Sequence, residues 1–360
     1  MGEEVENMEP SINAILTDAF LKEASDIHIT PGVPPVFRIH GRLVKADESI
    51  LTPEMVEEFV REIVSEEQWK VLNEKGEVDF SYSIKGVSRF RVNVYKQRGT
   101  FSIAFRIIPV NIPAFETLGL PPVLKEFTKL NKGLVLVTGP TGSGKSTTLA
   151  SLIDIINTER DLHIITLEDP IEYLHKHKKS IVNQREIGAD TQSFANALRA
   201  ALREDPDVIL VGEMRDLETI AIALTAAETG HVVFSTLHTV GAAKTIDRII
   251  DVFPPYQQLQ IRVQLSTVLQ GVVSQQLLTR RDGKGRVVAT EVMIVNAAIR
   301  NLIREGKTFQ IQSVIQTHQK TGMITMEQSL LDLYRRGLIT REDVFNYATD
   351  IEFMQKLLSA

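Results

Sequence analysis

Residues 139–146 read Gly139-Pro140-Thr141-Gly142-Ser143-Gly144-Lys145-Ser146 and match the phosphate-binding pattern G-x-x-x-x-G-K-[ST] at every position. The apolar run Leu134-Val135-Leu136-Val137 precedes this stretch, and apolar residues at helical spacing follow it from Thr147 to Ile156. A strand, a glycine-rich turn and a helix N-terminus bring backbone N–H groups and the positive end of the helix dipole to one point. An ordinary glycine-rich turn would not need all three features, so the sequence predicts a phosphate loop that binds a nucleoside triphosphate.

Two side chains of this phosphate loop have predicted roles. Lys145 would reach the β- and γ-phosphates of the nucleotide, and the Ser146 hydroxyl would take one position on Mg²⁺. The backbone of residues 139–147, with Thr147 in the first turn of the helix, would hold the remaining phosphate oxygens.

Length and composition narrow the class of protein. The 360 residues allow two or three domains, and hydrophobic and charged contents of 43% and 24% are those of a globular protein. The absence of cysteine excludes disulfides, thiolate zinc sites and thiol catalysis. A net charge of −6 argues against a protein that mainly grips nucleic acid. We therefore expect neither zinc nor a specific nucleic acid as a ligand.

Two further features bear on location. Residues 1–10 are acidic and lack the apolar core of a signal peptide. No run of about 18 apolar residues occurs, so no membrane-spanning helix is expected. The sequence predicts a cytoplasmic protein that is at most peripheral to a membrane.

The first part of the chain predicts a small mixed α/β domain over residues 1–108, followed by a proline-rich linker over residues 109–122. Its expected elements are a helix from Ser11 to Ala24, strands Asp26–Thr30 and Val36–His40, a helix from Pro53 to Val64 capped by Thr52, and strands Ser88–Tyr95 and Thr100–Ile108. The last two strands are expected to form a hairpin that turns at Arg98-Gly99.

The phosphate loop belongs to a second predicted domain, over residues 123–295. Apolar runs alternate there with helical stretches, which predicts a parallel sheet covered by helices on both faces. The runs are His163–Leu167, Val208–Val211 and Val232–Leu237, and the helical stretches are Gln192–Arg203 and Leu217–Thr229. Residues 296–360 are expected to be helical, with capping boxes at Thr325-x-x-Gln328 and Thr340-x-x-Asp343. The predicted class is therefore α/β with a helical C-terminal region.

Polar residues follow the three predicted strands of this sheet. Glu168, Glu213 and His238 each stand at or just beyond a strand end. Parallel strands bring these ends to the same edge as the phosphate loop. A carboxylate there can hold Mg²⁺ or orient the attacking water, and a histidine can respond to the γ-phosphate. Each residue alone could be a solvated loop residue, but together with the phosphate loop they predict a hydrolytic site.

Longer motifs surround these residues. The stretch from Leu202 to Asp216, which includes Glu213, resembles the signature of the type II/IV secretion ATPase superfamily. Glu168-Asp169-Pro170-Ile171-Glu172 resembles its aspartate box, and Gly230-His231 through His238-Thr239 resembles its histidine box. Residues Ala298–Glu305 resemble the C-terminal motif of the type IV pilus retraction (twitching motility) ATPases within that superfamily.

This resemblance implies a PAS-like N-terminal domain, a RecA-like core and a homohexameric ring. It also implies ATP as the nucleotide, and a motor that disassembles type IV pili at the inner membrane with a platform protein of the pilus machinery. His231 and His238 would contact the nucleotide. Glu168 is assigned as the general base, and Glu213 to Mg²⁺ and its waters. Gly212 stands where a standard Walker B motif has its acid, so the division of work between Glu168 and Glu213 stays open.

Two rival functions use the same motifs. A helicase-like or DNA-transport motor would need aromatic residues interleaved with basic ones, whereas aromatic residues make up only 6% of the chain. A nucleotide-gated regulator that hydrolyses poorly would not need the acids at the strand ends.

The predicted hairpin places charged residues opposite each other. A two-residue turn at Arg98-Gly99 sets Arg91 across from Arg106, and a register shifted by one step sets Arg89 there instead. Facing arginines need a counter-ion, which an acidic neighbour or a nucleotide γ-phosphate could supply. In the second case Arg91 and Arg106 would act as arginine fingers. By contrast, residues 175–179, which include His175 and His177, are interpreted as a solvated basic loop.

Overall fold

The computed structural model describes residues 11–39, 41–109 and 111–359. The expectations for residues 1–10 and for His40 therefore lie outside the described residues. The chain divides into two compact units, Met1–Val110 and Asn111–Ala360. In the described part of both units, no helix has the length and apolar character that crossing a bilayer requires.

Over its described residues, the N-terminal unit is a six-stranded antiparallel sheet with helices packed on it. The strand order is β3-β2-β1-β6-β5-β4. The helices are α1 (Ile12–Leu21), α2 (Pro53–Ile63) and α3 (Glu66–Lys75). The strands are β1 (Asp26–Ile29), β2 (Val36–Ile39), β3 (Arg42–Lys45), β4 (Glu77–Ile84), β5 (Ser88–Gln97) and β6 (Thr100–Ile108).

Local signals explain where these helices begin. The Ser11 hydroxyl accepts a hydrogen bond from the N–H of Ala14, and the Thr52 hydroxyl accepts one from Met55. The Thr52 cap confirms the prediction from the sequence, and the Ser11 cap lies at the predicted start of its helix. Helix α3 was not predicted, although Ser65 and Gln68 form a capping box at its start.

The β5–β6 hairpin has the predicted register. Arg98 and Gly99 form the two-residue turn with φ angles of 48° and 80°, as a type I′ turn requires. Gln97 pairs with Thr100, and Arg91 pairs with Arg106. The shifted register, which would place Arg89 opposite Arg106, is wrong, because Arg89 pairs with Ile108.

Over residues 111–359, the C-terminal unit is built on a seven-stranded sheet of order β13-β12-β7-β11-β10-β8-β9. The strands are β7 (Gly133–Thr138), β8 (His163–Glu168), β9 (Ile181–Glu186), β10 (Val208–Val211), β11 (Val232–Leu237), β12 (Leu269–Thr279) and β13 (Arg286–Ile294). The pairings among β7 to β12 are parallel, whereas β13 runs antiparallel to β12. The expectation of a parallel sheet therefore needs a correction at this one edge.

Apolar side chains cover both faces of this sheet. Every residue of β7, β10 and β11 is buried, as in the centre of a parallel sheet. The covering helices are α4 (Lys145–Glu159), α5 (Phe194–Ala201), α6 (Leu217–Glu228), α7 (Ala242–Asp251), α8 (Pro255–Val268), α9 (Ala297–Glu305) and α10 (Ile311–Thr317). Short 3₁₀ turns lie at Phe115–Thr117, Pro122–Lys129, Thr308–Gln310 and Gln319–Thr321.

The chain ends in helices α11 (Met326–Arg335), α12 (Arg341–Tyr347) and α13 (Ile351–Ser359). The capping boxes predicted at Thr325 and Thr340 are both formed. This region also closes the outer side of β13. Val292 exchanges backbone hydrogen bonds of 2.8 and 3.2 Å with Ile324, and the N–H of Thr290 donates to the Ser329 hydroxyl over 3.0 Å.

Candidate active site

A cavity of about 470 Å³ lies at the carboxyl ends of the parallel strands in the C-terminal unit. The phosphate loop and α4 supply one wall, and the strand ends supply Glu168, Glu213 and His238. The prediction that these three residues share one sheet edge with the phosphate loop is therefore confirmed. The lining residues from the loop and α4 are Thr141, Gly142, Gly144, Lys145, Ser146, Thr147, Leu149 and Ala150.

The phosphate loop needs its glycines for two reasons. Gly142 and Gly144 have φ angles of 79° and 88°, which residues other than glycine rarely adopt. Gly139 has a φ of 142°, and a Cβ atom there would lie 2.2 Å from the Gln275 carbonyl oxygen. The loop is thus pressed against β12, and helix α4 begins directly at Lys145.

Lys145 is held at the base of the loop. Its Nζ donates hydrogen bonds to the carbonyl oxygens of Gly139 and Pro140 over 2.9 and 3.0 Å. Burial lowers the pKa of Lys145, while the carboxylates of Glu172 and Glu213 act in the opposite direction. The ammonium group is therefore partly desolvated, which strengthens its attraction for a phosphate oxygen.

Glu168 lies at the end of β8 among neutral hydrogen-bond donors. Its Oε1 accepts hydrogen bonds from the Thr166 hydroxyl over 2.6 Å and from the Gln184 amide over 3.1 Å. Burial raises the pKa of Glu168, and these hydrogen bonds only partly oppose the rise. A carboxylate with a raised pKa is a stronger base. It therefore accepts a proton from water more readily than an ordinary glutamate does.

Glu213 lies beside basic side chains. The Arg215 Nε lies 2.5 Å from its Oε1, and the His238 Nε2 lies 3.2 Å from its Oε2. Ser146 lines the same cavity, so a hydroxyl oxygen and a carboxylate oxygen border one space. Oxygen donors of this kind fit Mg²⁺.

The departure from a standard Walker B motif has a steric reason. A Cβ atom at Gly212 would lie 3.1 Å from the Leu167 carbonyl oxygen and 3.4 Å from the Cα of Glu168. The backbone of Gly212 therefore lies close to the end of β8, and its N–H donates to the Leu167 carbonyl oxygen over 2.7 Å. A side chain there would push against the strand that carries Glu168.

Some lining residues were not predicted from the sequence. Arg215 lies within a recognised motif but has no predicted role, and Tyr173 and Arg286 belong to no recognised pattern. Tyr173 shares a hydrogen bond of 2.9 Å with the Thr147 hydroxyl. Arg286 lines the cavity from the start of β13, just beyond the Asp282-Gly283 pair, whose turn signal could have revealed this hairpin.

Two histidine predictions need correction. His231 precedes β11, at the end where that strand pairs with Gly133, whereas the phosphate loop follows the other end of β7. The six residues of β11 span roughly 20 Å, so the structure does not bring His231 to this cavity. His175 is half-buried and lines the cavity, and burial lowers its pKa to about 4. It is therefore no solvated loop residue, although residues 176–179 are exposed as expected.

Arg91 and Arg106 belong to the N-terminal unit. The Arg106 Nε donates to Asp26 over 2.9 Å, so an acidic neighbour does supply a counter-ion for this arginine. Arg91 is exposed and forms no ion pair with another described residue. The finger role stays a prediction for both.

The chain is similar to known proteins over most of its length. Residues 2–346 match the family described as type II/IV secretion system protein. The chain is 50% identical over 332 residues to the type IV pilus retraction ATPase PilT of Pseudomonas aeruginosa, covering 92% of this chain and 96% of that protein. It is 51% identical over 320 residues to a twitching motility protein of Neisseria gonorrhoeae, covering 89% and 86%.

A solved structure extends the likeness to the fold. The crystal structure of the pilus retraction motor PilT with bound ADP superimposes with a TM-score of 0.90 at 52% identity. The match covers 97% of this chain and 100% of that one.

Proposed function

Because the chain belongs to the type II/IV secretion system protein family, we propose that it is an ATP-hydrolysing motor that drives retraction of type IV pili. One observation carries this proposal. Residues of the phosphate loop and two strand-end glutamates line a single cavity, in a chain that is 50% identical to a pilus retraction ATPase over 92% of its length.

The residues of the cavity support a division of labour. The N–H groups of the phosphate loop and the Lys145 ammonium bind the polyphosphate. Glu168 accepts a proton from the attacking water, for which its raised pKa suits it. Ser146 and Glu213 would hold Mg²⁺, which, when bound, neutralises charge on the β- and γ-phosphates. His238 contacts Glu213, so a change at the γ-phosphate can reach the loop after β11.

The working assembly we propose is a homohexamer that acts at the cytoplasmic side of the inner membrane on a platform protein of the pilus machinery. The likeness to pilus retraction ATPases supports this proposal. Arg91 and Arg106 would complete the site from the N-terminal unit, of the same chain or of the next. Arg106 would then exchange its bond to Asp26 for a phosphate oxygen.

Two measurements test the proposed function. Purified protein should hydrolyse ATP at steady state. Adding DNA should not raise this rate at low or at high salt concentration. A strain lacking the gene should extend pili but fail to withdraw them, and the Lys145→Ala variant should not restore withdrawal. Strong salt-sensitive stimulation by DNA would favour a DNA-transport motor instead. Turnover at background level would favour a nucleotide-gated regulator.

A further inference from the structure

Gln275, in the middle of β12, contacts the phosphate loop at several points. Its side-chain Nε2 donates to the Ser143 carbonyl oxygen over 2.7 Å, and its Oε1 accepts from the Thr148 hydroxyl over 3.0 Å. Its own carbonyl oxygen is the atom that a Cβ at Gly139 would meet. One residue, only 1% exposed, therefore contacts the start of the loop, its last turn and the first turn of α4.

The neighbours of Gln275 face elsewhere. The Ser274 hydroxyl accepts a hydrogen bond from the N–H of Gly241, ahead of α7. Gln276, 8% exposed, donates from its Nε2 to the Tyr347 carbonyl oxygen over 3.0 Å, at the end of α12. Successive side chains of a strand point to opposite faces, so Gln275 alone of these three reaches the phosphate loop.

We propose that Gln275 is a positioning residue that holds the phosphate loop in its nucleotide-binding conformation. The loop binds phosphate through backbone N–H groups, whose directions depend on the peptide planes around Ser143 and Gly144. Gln275 fixes the Ser143 carbonyl, and therefore the peptide plane that carries the Gly144 N–H. At the same time it fixes the first turn of α4 through Thr148.

The amide is suited to this work because it donates and accepts at once. In a buried position, loop movement that breaks either bond would leave a polar atom unpaired, which is unfavourable. This inference rests on the proposed function, since it concerns the same nucleotide site. It adds a residue that contributes to nucleotide binding without touching the nucleotide.

The central test compares Gln275→Leu with Gln276→Leu. Both changes remove a buried amide of the same strand, but only the first removes contacts to the phosphate loop. We expect Gln275→Leu to raise the KM for ATP and the Kd for ADP about tenfold or more, as the loss of two hydrogen bonds implies. Gln276→Leu should lower the melting temperature about as much as Gln275→Leu does. Its KM and Kd should stay within about twofold of the wild-type values.

A double-mutant cycle tests whether the effect runs through α4. Thr148→Val removes the hydroxyl that Gln275 accepts from, whereas Thr148→Ser keeps it. Thr148→Val should raise KM and Thr148→Ser should not. The Gln275→Leu, Thr148→Val double variant should lose less binding free energy than the sum of the losses in the two single variants. If Gln275→Leu fails to fold, the two Thr148 variants alone decide the question.

The outcomes separate the two proposals. Wild-type protein that does not turn over ATP would overturn the proposed function itself. Active wild-type protein with equal KM and Kd in the two glutamine variants would reduce Gln275 to a packing residue. Fully additive effects of Gln275→Leu and Thr148→Val would also overturn the positioning role.

Discussion

At the scale of single residues, the two glutamates of the cavity differ in their surroundings. Glu168 is half-buried and accepts hydrogen bonds from neutral groups, Thr166 and Gln184. Glu213 instead contacts the charged Arg215 and lies beside His238. Different surroundings give two carboxylates different roles. The sequence alone left this division open, because burial and partners are properties of the fold.

This difference predicts how variants separate binding from chemistry. Lys145→Ala should abolish ATP binding, since the phosphate loop loses its only side-chain cation. Glu168→Gln and Glu213→Gln should still bind ATP, while turnover falls by about a hundredfold or more. Retention of labelled ATP and the rate of phosphate release are measured on the same samples. Wild-type turnover in either glutamine variant would remove that glutamate from the catalytic machinery.

The raised pKa of Glu168 predicts a pH dependence. A general base works in its ionised form, so kcat should fall as the pH drops through a pKa above that of ordinary glutamate, about 4.3. Ionising a buried carboxyl also costs folding free energy. The contribution of Glu168 to stability is therefore present below its unfolded-state pKa and is lost as the pH rises through its folded-state pKa.

The measurement is kcat for ATP from acid to neutral pH, together with melting temperatures of wild type and Glu168→Gln. The variant should melt higher than wild type at neutral pH, and this advantage should disappear in acid. If kcat instead falls only around the pKa of ordinary glutamate, that result would contradict the assignment of Glu168 as the general base.

At the scale of elements, the success of the prediction depended on how continuous the apolar runs are. Strands β10 and β11 were predicted to the residue, because β10 is an unbroken apolar run and β11 begins with three apolar residues and ends in Leu237, with only the small hydroxyl residues Ser235 and Thr236 between them. Strand β12 was missed, since Ser274, Gln275 and Gln276 interrupt its apolar pattern although all three are buried. Their hydrogen-bond partners come from distant parts of the chain, and no local pattern reveals such partners.

The β5–β6 hairpin supplies a prediction at this scale. Arg91 and Arg106 face each other, and only Arg106 has a counter-ion among the described residues, Asp26. If both are fingers, Arg91→Ala and Arg106→Ala should each lower kcat by orders of magnitude, with folding and assembly unchanged. Asp26→Asn should not lower kcat, because it removes the ion-pair partner of Arg106 but keeps the arginine itself.

The matched control for these variants is Arg98→Asn, which removes a positive charge from the exposed turn of the same hairpin and suits its positive φ. ATPase rates and sedimentation are compared across the set. Normal turnover in an Arg91→Ala, Arg106→Ala double variant would return both arginines to ordinary surface roles.

At the scale of the whole molecule, the sequence identified the site through motifs, but distance along the chain misled in two places. His231 and His238 belong to one motif, yet β11 separates them by its full length. His175 follows the aspartate box in an otherwise exposed basic stretch, yet it lines the cavity. A motif states which residues occur together, whereas the sheet decides which of them meet.

The assembly is the prediction at this scale. We expect sedimentation with nucleotide to show a species of about six times the monomer mass, and turnover to rise with the fraction of that species. Lys145→Ala serves as the control, because any assembly that depends on nucleotide should be lost with it. Full specific activity from a strictly monomeric preparation would reject the ring as the active species.

The closed outer side of β13 also matters while the protein is being made. An open sheet edge is a template on which another chain can pair, and it is a common route to aggregation. Here the edge is covered by Ile324 and Ser329, which leave the ribosome after every strand of the sheet has been synthesised. The β13 edge of the nascent sheet therefore stays exposed until the C-terminal region has been synthesised. A chain truncated before Ile324 would keep this edge open to pairing with other copies.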